Sequence, residues 1–338
     1  MPKTAVKEEK KKGIMSLIQK ASEYKEKDVK FRSTGILPLD LTLKCGGYRE
    51  GRLIEIFGPE HSGKTLMALL AIIHDQKMFK KKSLFVDAEA SFDLKWFKTL
   101  GGNLDLLDIY NPYDAHDEVY GELVYDNIID LIETGKYSFV VLDSLMGGAL
   151  LSKKILAKKL DDKKGSSPGG NAMLNKAFYQ RAFGKTVKTN TTFITTNHVV
   201  NKIGIAFGNP ETTAGGTALK FYCEQRINIL LPKDKEQNVG HLSRGKIIKN
   251  KRGNSAGQKF EYYLSYEYGI DNFAEMKRLL IQHDIVGKKD KIEINEKNYE
   301  EYRKQLLDVY NNLKLVGETD NHEVDEHSED EESEDNGL

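Results

Sequence analysis

The chain has 338 residues, 39% of them hydrophobic, and 51 Lys and Arg balance 51 Asp and Glu, which suits one large α/β domain with smaller appendages. No apolar run approaches a membrane span, the Lys-rich start lacks an apolar signal core, and the two cysteines, Cys45 and Cys223, give neither a disulfide framework nor a metal-ligand spacing. The expectation is a soluble protein of a reducing compartment, with no membrane partner.

The neutral total hides an asymmetry. Residues 318–338 carry eleven acidic side chains and no Lys or Arg, so the other 317 residues hold 51 basic against 40 acidic ones, a net charge of +11. A basic body with an acidic tail suits a nucleic-acid binder that screens itself. A disordered solubilising tail reads the same way in composition.

Taken in order, residues 1–12 are polar and expected to be disordered. Ile14, Leu17, Ile18 and Ala21 follow i, i+3, i+4, i+7, the pattern of a short amphipathic helix. Its apolar stripe needs cover, from its own domain or from a neighbouring subunit; residues 1–32 are read as an arm for oligomerisation. Residues 31–51 are rich in turn signals.

Arg52–Phe57 is a β-rich run, and Gly58-Pro59-Glu60-His61-Ser62-Gly63-Lys64-Thr65 follows it as the phosphate-loop pattern G-x-x-x-x-G-K-T. The glycines permit conformations in which consecutive N–H groups point at an anion. A helix starting near Lys64 adds its positive dipole end, and Leu66, Leu69, Leu70 and Ile73 supply the apolar pattern of that helix. Lys64 is placed to reach the outer phosphates and Thr65 to hold Mg²⁺.

Ser83–Asp87, Leu106–Tyr110, Ser138–Asp143 and Thr192–Thr196 read as further strands, with helical patterns over 117–134 and 172–188. Such alternation predicts a mostly parallel sheet with helices on both faces. Arg226–Leu231, Gly245–Asn250 and Phe260–Ser265 follow without long helices between them, an antiparallel extension. Residues 270–317 read as a small helical lobe ahead of the acidic tail at 318–338.

Asp143 ends a buried strand, where phosphate-loop enzymes place a second Mg²⁺-orienting acid. Hydrolysis also needs a group to orient or deprotonate water; Glu89, just past the Ser83–Asp87 strand, is a candidate, although a surface-loop Glu would look the same. Trp96, the only tryptophan, could fill the core or offer a flat surface to adenine. Residues 152–170 form a basic loop with six Lys, Lys153 and Lys154 among them. Residues 199–216 hold four glycines around Ile203, Ile205, Ala206 and Phe207. Such a loop could insert side chains between bases and offer N–H groups to phosphates, or fold its apolar residues back.

The blocks FGPEHSGKT, FVDAEASFD, VVLDS, KIGIAFGNPETTAGGTALKFY and IIKNK resemble, in order and spacing, those of the RecA-type homologous recombinases. The resemblance covers about residues 33–268 and implies a RecA-type phosphate-loop ATPase core over 33–269. It implies ATP and Mg²⁺ at Gly58–Thr65 and Asp143, Glu89 as catalytic glutamate, and Trp96 on the adenine. It makes 199–216 the second DNA-binding loop, with Val199, Asn201, Lys202, Gly215 and Gly216 as contacts and Ile203 as an apolar wedge. Lys153 and Lys154 fall in the first. Lys249 and Lys251 match lysines that reach the adjacent subunit's ATP, and Phe221 matches an interface aromatic. Where bacterial members carry Gln, this chain has Asn197-His198, similar to bacteriophage recombinases, and His198 inherits the γ-phosphate sensor's role.

The implied activity is ATP-dependent homologous pairing and strand exchange by filaments on single-stranded DNA. The implied partners are single-stranded DNA, homologous duplex DNA and further copies of the chain, and the resemblance allows for a single-strand-binding protein and a loading mediator. The implied compartment is the cytoplasm of a bacterium or a phage-infected host. Two rivals stay open: a RecA-fold helicase or repair ATPase without strand exchange, and a filament or mediator protein that binds ATP and DNA only as structure.

Overall fold

The computed structural model describes residues 18–23, 28–157, 170–201, 211–231, 233–236, 239–288 and 290–312. Lys202, Ile203 and the tip of the second loop, most of the first loop, and the acidic tail lie outside the described residues. So do residues 14–17, the first half of the arm helix predicted over 14–21. Its described end is not helical: residues 18–20 are irregular, Ala21 is in a turn, and Ile18 is 64% exposed. A two-turn amphipathic segment is marginal without a surface to cover its stripe.

The turn-rich stretch 31–51 holds more regular structure than its Gly and Pro residues predict. Strands β1 (Phe31–Arg32) and β2 (Tyr48–Arg49) pair antiparallel, and α1 (Leu37–Thr42) lies between them. Pro38 sits in the first turn of α1, where its missing N–H is not needed. A residue that reads as a breaker starts the helix.

The phosphate motif joins β3 (Leu53–Gly58) to α2 (Lys64–Phe79). Next come β4 (Ser83–Asp87), α3 (Leu94–Thr99), β5 (Leu107–Tyr110), α4 (Pro112–Ala115), α5 (Gly121–Glu133) and β6 (Phe139–Asp143). They are followed by α6 (Lys153–Leu156), α7 (Gly170–Thr189), β7 (Thr192–Asn201), β8 (Glu211–Thr213), α8 (Ala218–Tyr222) and β9 (Gln225–Ile229). Finally come β10 (Lys233–Glu236), β11 (Gly240–Asn250), β12 (Lys259–Ser265), α9 (Asn272–Gln282) and α10 (Tyr299–Asn312).

The sheet runs β10-β11-β9-β3-β7-β6-β4-β5, with β12 beside β11 and β8 beside β7. From β9 to β5 all neighbours are parallel, and β10, β11 and β12 extend the sheet antiparallel. This is the predicted α/β architecture. Alternation along the strands sends Ile54, Ile56, Phe85, Val141 and Ile194 to one core with α2. Leu53, Leu84, Val140, Leu142 and Phe193 go to a second core under α5 and α7. Both faces are covered, as a parallel sheet requires.

A third core joins Leu37 and Leu41 of α1 to Met276, Leu279 and Leu280 of α9 and to Tyr299 and Leu306 of α10. Arg303 of α10 pins it, reaching Asp40 at 3.2 Å and Glu300 at 2.8 Å and donating to the Gly46 carbonyl. Burial pushes the Asp40 carboxyl up and the Arg303 charge pulls it back.

His74 of α2 lies beside Tyr299, ring centroids 5.9 Å apart. Burial, with the Arg303 and Lys77 charges adding to it, pushes its pKa down to about 3. In the unfolded chain a histidine titrates near about 6.5, so between these values the unfolded state binds the extra proton. This contribution is complete above pH 6.5 and is lost as pH falls, at about 1.4 kcal/mol per pH unit, or about 2 kcal/mol by pH 5. Urea unfolding at pH 7 and pH 5 should show that slope in the wild type and a flatter one in His74→Gln. Equal slopes would rule out His74 as its source.

Candidate active site

The parallel register brings the site's elements to one rim. Gly58 of β3 pairs with His198 of β7, Leu142 of β6 with Thr195, and Asp87 of β4 with Asp143. The carboxyl ends of β3, β4, β6 and β7 therefore open together, the usual position for ligands on such a sheet. There a cavity of about 1290 Å³ is lined by residues that include Pro59–His61, Gly63–Thr65, Glu89, Trp96, Tyr113, Asp143, Met146, His198 and Val199.

The phosphate loop forms its floor. Gly63 has φ 94°, and a Cβ built there would meet nothing within 4 Å; the backbone shape demands glycine, and the space above it is an open cradle. At Gly58 the constraint is steric, because a Cβ would lie 2.3 Å from the Ile229 carbonyl oxygen. The Ser62 hydroxyl donates to the Pro59 carbonyl at 2.8 Å, which closes the turn. α2 begins at Lys64, so the unpaired N–H groups of its first turn and its dipole favour an anion. Lys64 Nζ donates to the carbonyls of Gly58 at 3.2 Å and Pro59 at 2.7 Å. Burial lowers the Lys64 pKa, and Asp143, Glu89 and Glu60 work against that.

Thr65 Oγ1 donates to Asp143 Oδ2 at 2.7 Å, and Thr196 Oγ1 donates to Oδ1. Burial raises the Asp143 pKa, the two hydroxyls oppose it, and the Glu89 and Asp87 charges add to it. A cation would relieve that cost. Among the described residues no cluster of three or more His, Cys, Asp or Glu side chains could hold a metal. The donor set fits Mg²⁺, which takes one or two carboxylates and completes its shell with phosphates and water.

Glu89 stands on a tightened loop. Asp87 accepts from the N–H groups of Ser91 and Phe92, both at 3.0 Å, and Ala88 N–H donates to the Asp143 carbonyl at 2.8 Å. The Glu89 carboxylate accepts from the Ser144 hydroxyl and lies 3.6 Å from His198 Nε2. Trp96, on α3, does both things left open by its spacing: it packs against the core and lines the cavity.

The second loop starts from the wall of the same cavity. β7 runs past His198 and pairs with β8, Val199 opposite Thr213, Val200 opposite Thr212 and Asn201 opposite Glu211. Gly215 and Gly216 follow at φ 83° and 89°, and a Cβ on Gly215 would lie 2.4 Å from the Leu145 side chain. Their glycine requirement is met by local geometry alone.

The remaining expected site residues lie elsewhere. Lys153 is paired with Glu118 at 3.0 Å and lies over the Tyr120 ring at 4.6 Å, while Lys154 is exposed. Lys249 and Lys251 do not line the cavity; Lys249 Nζ donates to the Lys220 carbonyl at 2.6 Å, next to Phe221, which is 73% exposed. Sequence reasoning missed Asp87, Ser144 and Thr196 as supports. It also missed Glu55, Arg226 and Asn197, which bond to one another below the site. A Glu in the middle of the apolar run Leu53–Phe57 was the available signal, since buried carboxylates need partners.

The model of the RecA N-terminal domain family matches residues 2–271. Protein RecA of Leptospira meyeri is 37% identical over 285 residues, covering 83% of this chain and 70% of that protein. Protein RecA of Porphyromonas gingivalis is 35% identical over 266 residues, covering 77% and 74%. Among solved structures, the crystal structure of the RadB recombinase superposes with a TM-score of 0.51 over 70% of this chain and 97% of that one, at 21% identity, a likeness of fold.

Proposed function

Because this chain belongs to the family of RecA-type recombinases, we propose that it is an ATP-dependent recombinase that forms filaments on single-stranded DNA and carries out homologous pairing and strand exchange. The observation that carries this reading is that Lys64, the Thr65–Asp143 pair and Glu89 meet in one cavity whose wall includes Val199 and Val200, where β7 pairs with β8.

Within the proposal, Lys64 and the first-turn N–H groups of α2 bind the outer phosphates, and Trp96 takes the adenine. Thr65 and Asp143 hold Mg²⁺, which when bound supplies charge neutralisation on the phosphates. Glu89 orients the attacking water and accepts its proton, with His198 beside it. Lys249 and Lys251 serve the ATP of an adjacent copy. Residues 199–216 and 152–170 hold the DNA, through Val199, Asn201, Lys202, Ile203, Gly215 and Gly216 in one and Lys153 and Lys154 in the other. For Lys153 this requires exchanging Glu118 for a phosphate.

Phosphate release from ATP, measured with and without single-stranded DNA, tests the reading. Stimulation by DNA is the expected result; a rate indifferent to DNA, or processive unwinding of a forked duplex, would contradict it. The acidic segment 318–338 is proposed to compete with DNA for the basic body. Its removal should tighten DNA binding and let the complex tolerate more salt, read by fluorescence anisotropy. Unchanged affinity across salt concentrations would remove the tail from the account.

A further inference from the structure

One fully buried carboxylate has no part in nucleotide chemistry as described. Glu55, in the middle of β3, has no exposed surface, and both its oxygens are engaged. Oε2 accepts from Arg226 Nε at 2.5 Å, and Oε1 accepts from Asn197 Nδ2 at 2.9 Å. Arg226 also donates from Nη2 to Thr213 Oγ1 at 3.3 Å and lies 4.9 Å over the Phe57 ring.

Asn197, equally buried, uses its amide in full. Nδ2 also donates to the Ala214 carbonyl at 3.0 Å, and Oδ1 accepts from His198 N–H at 2.9 Å. One side chain thus bonds to the strand beneath the phosphate loop, to the residue next to Glu89, and to the returning end of the second loop. Arg226 makes a second link between Glu55 and that returning end. A polar network satisfied in this way in a low-dielectric interior is rigid, and moving one member strains the others.

We propose that Asn197 is a positioning residue: together with the Glu55–Arg226 pair it ties the geometry of His198 beside Glu89 to the Thr213–Gly216 end of the second loop, so that a DNA strand held by that loop is felt at the nucleotide site. This rests on the DNA-dependent ATPase reading above. Such coupling is a free energy shared between two sites and acts in both directions.

The test uses Asn197→Asp combined with Glu55→Gln. The first change keeps the acceptor for His198 N–H, and the second supplies a neutral donor toward the new carboxylate, so the like-charge clash of Asn197→Asp alone is avoided. The bond to the Ala214 carbonyl is lost. ATP hydrolysis is measured with and without oligo-dT, across ATP concentrations. The double variant should keep its DNA-free rate and its KM for ATP within about twofold, while the stimulation by oligo-dT falls about tenfold, inside the usual range of coupling factors.

A merely structural role would not lower stimulation while sparing the DNA-free rate, so a wild-type ratio in the folded double variant overturns the inference. If that variant does not fold, Arg226→Lys serves instead. It keeps a positive charge for Glu55 but lacks the fork that also reaches Thr213, and it should lose stimulation several-fold; an unchanged ratio there is equally fatal. A wild type that is not stimulated at all would sink the function reading and this inference together, whereas stimulation retained in the variants sinks only the inference.

Discussion

Replacing Glu89 by Gln should lower ATP turnover by about 10²–10⁴-fold and leave nucleotide binding intact. The amide has the size of the carboxylate, and its carbonyl oxygen can still accept from the Ser144 hydroxyl. The loop beneath it is fixed independently by Asp87, so the backbone has no reason to move. What the amide cannot do is take a proton from water. Phosphate release with single-stranded DNA present should therefore collapse, while binding of a fluorescent ATP analogue stays close to wild type. Full turnover in Glu89→Gln would show that another group activates the water.

Lys64→Ala should fail earlier. Lys64 is the one Lys or Arg among the described residues that line the cavity, and a hydrogen bond to a charged group contributes about 1.5–3 kcal/mol, so ATP affinity should fall by about 10–100-fold. Turnover should fall further, because charge on the phosphates is greatest in the transition state. The carbonyls of Gly58 and Pro59 lose a donor but border an open cavity and can turn to water. The two variants separate by signature. Glu89→Gln retains ATP-dependent binding of single-stranded DNA, and Lys64→Ala loses it. Identical behaviour in both would mean that binding and hydrolysis are not divided between these residues as proposed.

The site was legible wherever chemistry is written locally. Gly58–Thr65 announces its loop because strand, glycines and helix are contiguous, and Asp143 ends one recognisable apolar strand while Glu89 closely follows another. Parallel register then gathers them, which strand–helix alternation implies without naming the partners. Long-range satisfaction of buried groups was not legible. Nothing next to Glu55 in sequence points to Arg226 or Asn197, and nothing near Asp40 points to Arg303. Lys153 read as one of the lysines of a basic DNA-binding loop and is paired with Glu118, a partner outside that loop.

Local signals also misled where one residue type has two uses. Pro38 marks a turn in composition and the first turn of α1 in the fold. β7 continues to Asn201, beyond the predicted end at Thr196, because its pairing with β8 extends the ladder past the apolar run. Trp96 needed no choice between its two readings, since a large aromatic ring can rest on a core and still border a cavity.

The central claim is that the nucleotide held over Lys64 and Asp143 governs what the second loop beside it does to DNA. Its most direct test is joint-molecule formation between circular single-stranded DNA and a homologous linear duplex, run with ATP and Mg²⁺ and again with no nucleotide. The account predicts joint molecules with ATP and homology and none without nucleotide. Equal yields from the nucleotide-free reaction, or from a duplex of unrelated sequence, would contradict it.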